Sequence, residues 1–288
     1  IPSTVPIAAL VDRAHDAADL DAIRVRLREA IAAADYPYPI DQDLGQLAAQ
    51  GAELRDNLVW AHGYIVADDP ESIAPGKESD DVMAFIRERI AHLKQELLVE
   101  SPYFVLPAGA QATVKALQQR NVRVRVLTNS LASNDMLPAH SGYAKTRRRL
   151  LENGMELYEL RPDTDAFRPG WSLLSGRSRA ALHAKAMAFD GEAVFIGSFN
   201  LDPRSAVINT EAGLYIESTE LAKRLLDYMA AGVAPENCYR VRLDPKGEIV
   251  WETERGGQRV RYRDEPDTGF FRNSDADPNA CSNKNSSR

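Results

Sequence analysis

Between Ser79 and Leu160 the apolar residues change period several times, and that alternation leaves few folds open to the chain. Val82, Phe85, Ile86, Ile90 and Leu93 recur at helical spacing, with Ser79 as the expected N-cap. The run LLVESPYFV then reads as a buried strand. A helix from about Ala110 to Arg120 follows, then the strand VRVRVLTNS. A helix through YAKTRRRLLEN stops at Gly154 and gives way to the strand MELYEL. Strand–helix–strand–helix–strand order predicts an α/β sheet covered by helices.

Beyond an irregular stretch from Arg161 to Ser178, three more strands are expected: ALHAKAMAF, AVFIGSFN and NTEAGLYIES. A helix through Leu221, Leu225, Tyr228 and Met229 closes the unit near Gly232. The segment YRVRLDPKGEIVWET predicts a final hairpin. From Asn273 onward the polar composition predicts disorder. Upstream, residues 1–76 read as a connector holding one amphipathic helix on Leu20, Ile23, Leu27 and Ile31.

The first two of those three strands carry a polar constellation. His183 and Lys185 are two apart, so a strand projects them to one side. Asp190-Gly191 is a two-residue hairpin signal. With that turn Phe189 faces Glu192, His183 lies opposite Ser198, and Asn200 falls on the same face. An imidazole, an ammonium, a hydroxyl and an amide then converge. The set suits a phosphodiester. Imidazole can attack phosphorus or move a proton near neutral pH. Ammonium is a point charge for a phosphate oxygen, and the amide and hydroxyl can donate to oxygens that gain charge. Glu211, in the next strand, is placed to hold the far nitrogen of His183. Asp190, in the turn, is read as structural. Such chemistry calls for no metal and no cofactor.

Bulk properties narrow the setting. A formal charge of -7 argues against a general nucleic-acid binder. Cys238 and Cys281 are too few for a disulfide framework or a zinc site. No stretch approaches the roughly 18 apolar residues of a membrane span.

His183, Lys185, Asp190, Gly197, Ser198 and Asn200 together spell H-x-K-x4-D-x6-G-S-x-N, which resembles the signature of the phospholipase D superfamily. ESPYFVLP, RVLTNSLASND, HSGYAKTRRRLLENGMELYEL and GSFNLDPRSAVINTE extend the likeness to the C-terminal half of bacterial class-C-type cardiolipin synthases. The resemblance implies a phospholipase-D-like mixed β-sheet flanked by helices on both faces. It implies a phosphatidyltransferase working through a phosphohistidine on an anionic phospholipid, with a second histidine as general acid and base. Of the five histidines only His183 is followed by x-K. The chain is therefore expected to supply half a site, completed by a first half upstream of Ile1 or by a second copy. Expected divisions are the connector at 1–76, a catalytic domain at 77–235, a hairpin extension at 236–272 and a tail at 273–288.

Further candidates lie outside the motif. Asn129, Asp135, His140 and Tyr143 cluster after a predicted strand end, where ligands sit in α/β sheets, and match a family motif, which suits headgroup contact. The plainer reading has Asp135 and His140 capping the next helix. Arg177 and Arg179 either draw in an anionic phospholipid or are solvated loop residues. Arg147, Arg148 and Arg149 are contiguous, so they fan around a helix and read as mostly solvated. Trp60, Phe167 and Trp171 are candidates for a membrane interface. The resemblance implies a bacterial protein at a membrane surface, on either face. Alternative functions are hydrolysis with water as acceptor, a homodimeric phosphodiesterase or nuclease, and a catalytically silent fragment.

Overall fold

The computed structural model describes residues 57–70, 81–106, 109–134, 136–164 and 181–268, with 21–26, 28, 29, 52 and 55. Its strands are β1 (His62–Ala67), β2 (Glu96–Glu100), β3 (Arg123–Asn129), β4 (Glu156–Leu160), β5 (Ala186–Phe189), β6 (Ala193–Gly197), β7 (Ala212–Glu217), β8 (Cys238–Leu243), β9 (Ile249–Arg255) and β10 (Gln258–Tyr262). They form one mixed sheet in the order β1-β7-β6-β5-β2-β3-β4-β8-β9-β10. β2, β3 and β4 are parallel to one another, and every other pairing is antiparallel.

The helices are α1 (Asp81–Ala91), α2 (Ala110–Gln119), α3 (Leu137–Glu152), α4 (Pro203–Val207) and α5 (Thr219–Gly232). Alternation along the strands sorts the core into two layers. Val99, Val126, Leu157 and Met187 pack with Val82, Ile86, Val114, Leu117 and Leu150, so α1, α2 and α3 cover one face. Leu98, Leu127, Leu160 and Ala188 pack with Leu225, Leu226 and Met229, so α5 covers the other. Each such fully buried aliphatic side chain contributes about 2 kcal/mol relative to exposure. The expected α/β sheet with helices on both faces is the one found. Gly154, at φ +77, ends α3 as its sequence predicts.

Three features differ from expectation. β1 lies inside the stretch read as a connector, yet pairs with β7 along its whole length. The WAHGYIVADDP stretch is strand-like in sequence, but its side chains are almost all exposed, so no alternation places it in the sheet. The C-terminal extension is a three-strand meander rather than a hairpin. β10 returns on β9 through Gly256-Gly257, both with positive φ, and pairs Gln258 with Arg255. Arg147, read as solvated, is 3 % exposed and bonded to Glu159 and Glu265.

The sheet and its helices lie in a unit spanning Val59–Arg168 and Arg177–Arg288. Ile1–Leu58 and Pro169–Gly176 form a second unit, in which 21–26, 28 and 29 are helical, where the periodicity predicts a helix. The tail from 273, Ser79, Phe167, Trp171, Arg177 and Arg179 lie outside the described residues. No described helix is long and apolar enough to cross a membrane.

Candidate functional site

β5 and β6 form the expected hairpin, but its register is displaced by one residue. Phe189 pairs with Ala193, not Glu192, so Asp190, Gly191 and Glu192 together make the loop. A one-residue change reverses which side chains share a face. Lys185 lies opposite Gly197, whose N–H donates to the Lys185 carbonyl at 3.1 Å. Strand alternation alone therefore does not bring His183, Lys185, Ser198 and Asn200 to one side. His183 and Lys185 also precede β5, which begins at Ala186.

Tertiary contacts explain the longer loop. Asp190 sits at φ +51, a region that Asp tolerates better than most residues. Its carboxylate accepts the backbone N–H groups of Lys94 and Gln95 at 2.8 Å and of Glu96 at 2.9 Å. The side chain thereby ties the β5–β6 turn to the start of β2, a structural role.

At the opposite end of the hairpin, Gly197 makes a close strand contact. A Cβ there would fall 2.4 Å from the Ala212 carbonyl oxygen and 2.7 Å from the Gly213 Cα. Only glycine lets β6 and β7 approach so closely. Just past that point Ser198 turns its hydroxyl into the gap. It donates to Glu211 Oε2 and accepts the Ala212 N–H at 3.0 Å. The second carboxylate oxygen of Glu211 accepts from Asn209 at 3.2 Å. Glu211 is thus engaged with Ser198 and Asn209, and does not bond His183 as the sequence suggests. His183 is exposed, and its imidazole makes no hydrogen bond among the described residues. Lys185 Nζ donates to the His183 carbonyl at 2.7 Å.

Two supporting residues escape the sequence reading. Asp68 receives the Glu211 N–H at 2.9 Å and the Val82 N–H at 3.0 Å, linking Glu211 to the first turn of α1. Its signal is an acidic pair between a strand and a helix, Asp68-Asp69, which reads as linker. Ser101 accepts the Leu201 N–H at 3.3 Å, and Leu201 also pairs with Phe104 and Val105. The ESPYFV segment therefore backs the segment that carries Asn200. Asn200 Oδ1 is buried without a hydrogen-bond partner among the described residues.

Glu100 closes this end of β2. It pairs with Ala186, is 1 % exposed, and neither carboxyl oxygen has a partner among the described residues. Burial pushes its pKa up to about 7.

The four other candidate residues separate. Asn129 is 1 % exposed and its amide bonds the backbone of Leu182. His140 and Tyr143 are buried in a network with Arg147, Glu159, Glu265 and Trp251. That network joins α3 to β4, β9 and the segment after β10, so these two side chains face inward in place of the expected headgroup contact. Asp135 lies outside the described residues. Among the described residues no group of three or more His, Cys, Asp or Glu could hold a metal.

Residues 86–231 match the family described as cardiolipin synthase, PLD-like domain. Cardiolipin synthase C of Escherichia coli is 36% identical over 220 residues, which are 75% of this chain and 46% of that protein. An uncharacterized protein of Helicobacter pylori is 28% identical over 220 residues, 74% of this chain and 41% of its own. The chain thus spans less than half the length of these relatives. Among solved structures, a phospholipase D family member, Nuc from Salmonella typhimurium, superposes with TM-score 0.45 at 17% identity, covering 63% of this chain and 99% of that one. On the extent of the match from 86 to 231, the chain belongs to the PLD-like domain family of cardiolipin synthase.

Proposed function

We propose that this chain supplies one half of a phosphatidyltransferase site of cardiolipin-synthase type. The observation that carries the reading is the H-x-K-x4-D-x6-G-S-x-N string, with Asp190 spent on the fold and His183, at the other end of the hairpin, exposed with its imidazole unbonded among the described residues. A relative of more than twice the matched length supports the view that a second half completes the site.

In this reading one of two histidines attacks the phosphorus of an anionic phospholipid. An N–P bond forms, the P–O bond to the leaving alcohol breaks, and the other histidine protonates the departing oxygen. The acceptor hydroxyl then attacks phosphorus, its proton passes to the second histidine, and the N–P bond breaks. His183 takes one of these two roles. Lys185 offers positive charge to a non-bridging oxygen and Asn200 offers its amide. Glu211 acts by orienting Ser198. With a lipid hydroxyl as acceptor the outcome is transfer; with water it is hydrolysis. The site works at a membrane surface, and exposed Trp60 suits that contact.

The test pairs this chain with its upstream half, or with a second copy, on vesicles containing phosphatidylglycerol. Release of glycerol with formation of a two-phosphate lipid is the expected result, abolished by His183→Ala. Acid-labile phosphate on His183 identifies it as the nucleophile. Label found only on the partner half identifies it as the acid and base. Cleavage of nucleic acid with no action on the lipid sinks the proposal.

A further inference from the structure

We propose that Asn129 is the positioning residue for His183, and that it acts as a substitute strand for a stretch of chain that has none. The inference rests on the reading of His183 given above. Residues 181–185 lie outside the sheet ladder, because β5 begins only at Ala186. Yet Leu182 is buried, at 4 % exposure, in the layer beneath α5. A buried peptide with no ladder partner would leave its N–H and carbonyl unmet.

The side-chain amide of Asn129 meets both. Asn129 Oδ1 accepts the Leu182 N–H at 2.8 Å, and Nδ2 donates to the Leu182 carbonyl at 3.0 Å. This is the two-bond pattern that one strand residue makes with another across an antiparallel pair. A primary amide is the side chain that presents a donor and an acceptor side by side in this way. Asn129 is itself held firmly. It ends β3, inside the sheet between β2 and β4, and is 1 % exposed.

The next residue after Leu182 is His183. Its imidazole has no hydrogen-bond partner among the described residues, so its aim is set by its backbone. That backbone is gripped on one side through Leu182 and on the other by Lys185 Nζ at the His183 carbonyl. Asn129 thus couples the rigid middle of the sheet to the reacting group without touching substrate.

Three variants test this. Asn129→Leu removes both bonds to Leu182, with the longer 3.5 Å bond to the Pro102 carbonyl, at similar volume. Asn129→Asp keeps the acceptor but sets a carboxylate against the Leu182 carbonyl, and is expected to do more damage than Asn129→Leu. Asn129→Gln keeps donor and acceptor, so it preserves the fold, but its extra methylene displaces Leu182. In the chain as it stands, labelled for histidine side-chain NMR, His183 is assigned by the signal missing in His183→Ala. The expected result is a displaced or broadened His183 signal in the Leu and Gln variants, with the other histidines unmoved. Ser133→Ala serves as the control, since it removes a buried hydrogen bond to the Leu160 carbonyl nearby. It is expected to lower Tm and leave the His183 signal alone. In the reconstituted enzyme kcat is expected to fall about 100-fold with KM within about twofold, the size expected for an angstrom-scale misplacement.

A Tm loss in Asn129→Leu and Asn129→Gln with an unchanged His183 signal and unchanged kcat overturns the positioning role. A moved His183 signal in a protein whose unmodified form transfers no phosphatidyl group upholds the positioning role and overturns the proposed reaction instead.

Discussion

The two ends of the β2–β5 pair use a carboxylate in opposite ways. Where β2 begins, Asp190 collects three backbone N–H groups. Where β2 ends, Glu100 is buried against Ala186 and collects none among the described residues. His183, its imidazole unbonded among the described residues, and Asn200, with its oxygen unmet there, belong to the second end as well. A fully satisfied polar group stabilises the structure that holds it. A buried group left unmet costs free energy, and a fold retains several together where a ligand or a proton is to be handled. The contrast separates the end of the hairpin that ties the fold together from the end proposed to carry the chemistry.

The largest effect is expected at the satisfied end. Asp190→Ala removes three charge-assisted hydrogen bonds of about 1.5 kcal/mol each, some of them reachable by water, and places Ala at positive φ. A loss of about 4 kcal/mol in urea unfolding is expected. Asp190→Asn, which keeps one acceptor oxygen and tolerates the same φ, should lose about 2 kcal/mol. Equal losses in both variants would mean that the carboxylate does not tie the turn to β2.

At the unmet end the sign reverses and depends on pH. Glu100 is held at about 7 in the folded chain against an ordinary 4.5. Below pH 4.5 the group is protonated in both states, and stability carries no penalty from it. Between 4.5 and 7 the unfolded chain ionises while the folded chain keeps its proton, so stability falls as pH rises. Above 7 the full penalty of about 3 kcal/mol applies. Glu100→Gln removes the titration. Its stability relative to the unmodified chain should therefore be about 3 kcal/mol better at pH 8 than at pH 4.5. A difference that stays flat across that range would show that the buried carboxyl has found a partner.

The contrast also shows which parts of the molecule can be read from sequence. The parallel core is legible because each element carries its own period: helical spacing in Val82, Ile86 and Ile90, then buried runs in Leu97–Val99 and Val124–Leu127. The motif residues are legible as a string. What fails depends on distant partners. The hairpin register is misjudged because Asp190 answers to Lys94, Gln95 and Glu96, on another strand's threshold. Arg147 reads as solvated because Glu159 and Glu265 come from other elements. Asn129 reads as a ligand contact because Leu182, 53 residues on, is not visible as its partner. The WAHGYIVADDP stretch reads as strand-like, but its place beside β7 does not show, because an exposed edge strand has no alternation to display.

Glycine gives the same comparison at smaller scale. Gly197, at the site end, stands against backbone of β7, so Gly197→Ala must push β6 and β7 apart. A cost of about 2 kcal/mol is expected, with the Ser198–Glu211 hydrogen bond broken and turnover reduced beyond what the fold loses. Gly191, at the turn end, has open space where a Cβ would go but φ +69. Gly191→Ala should therefore cost only the backbone term, about 1 kcal/mol. It should leave the per-molecule turnover of folded protein unchanged. Because the two residues sit in one hairpin, urea midpoints and kcat measured on the pair separate strain in the scaffold from strain in the site. A turnover loss in Gly191→Ala as large as in Gly197→Ala would mean that the two ends of the hairpin are mechanically one, and that the division between them drawn from Asp190 and Glu100 does not hold.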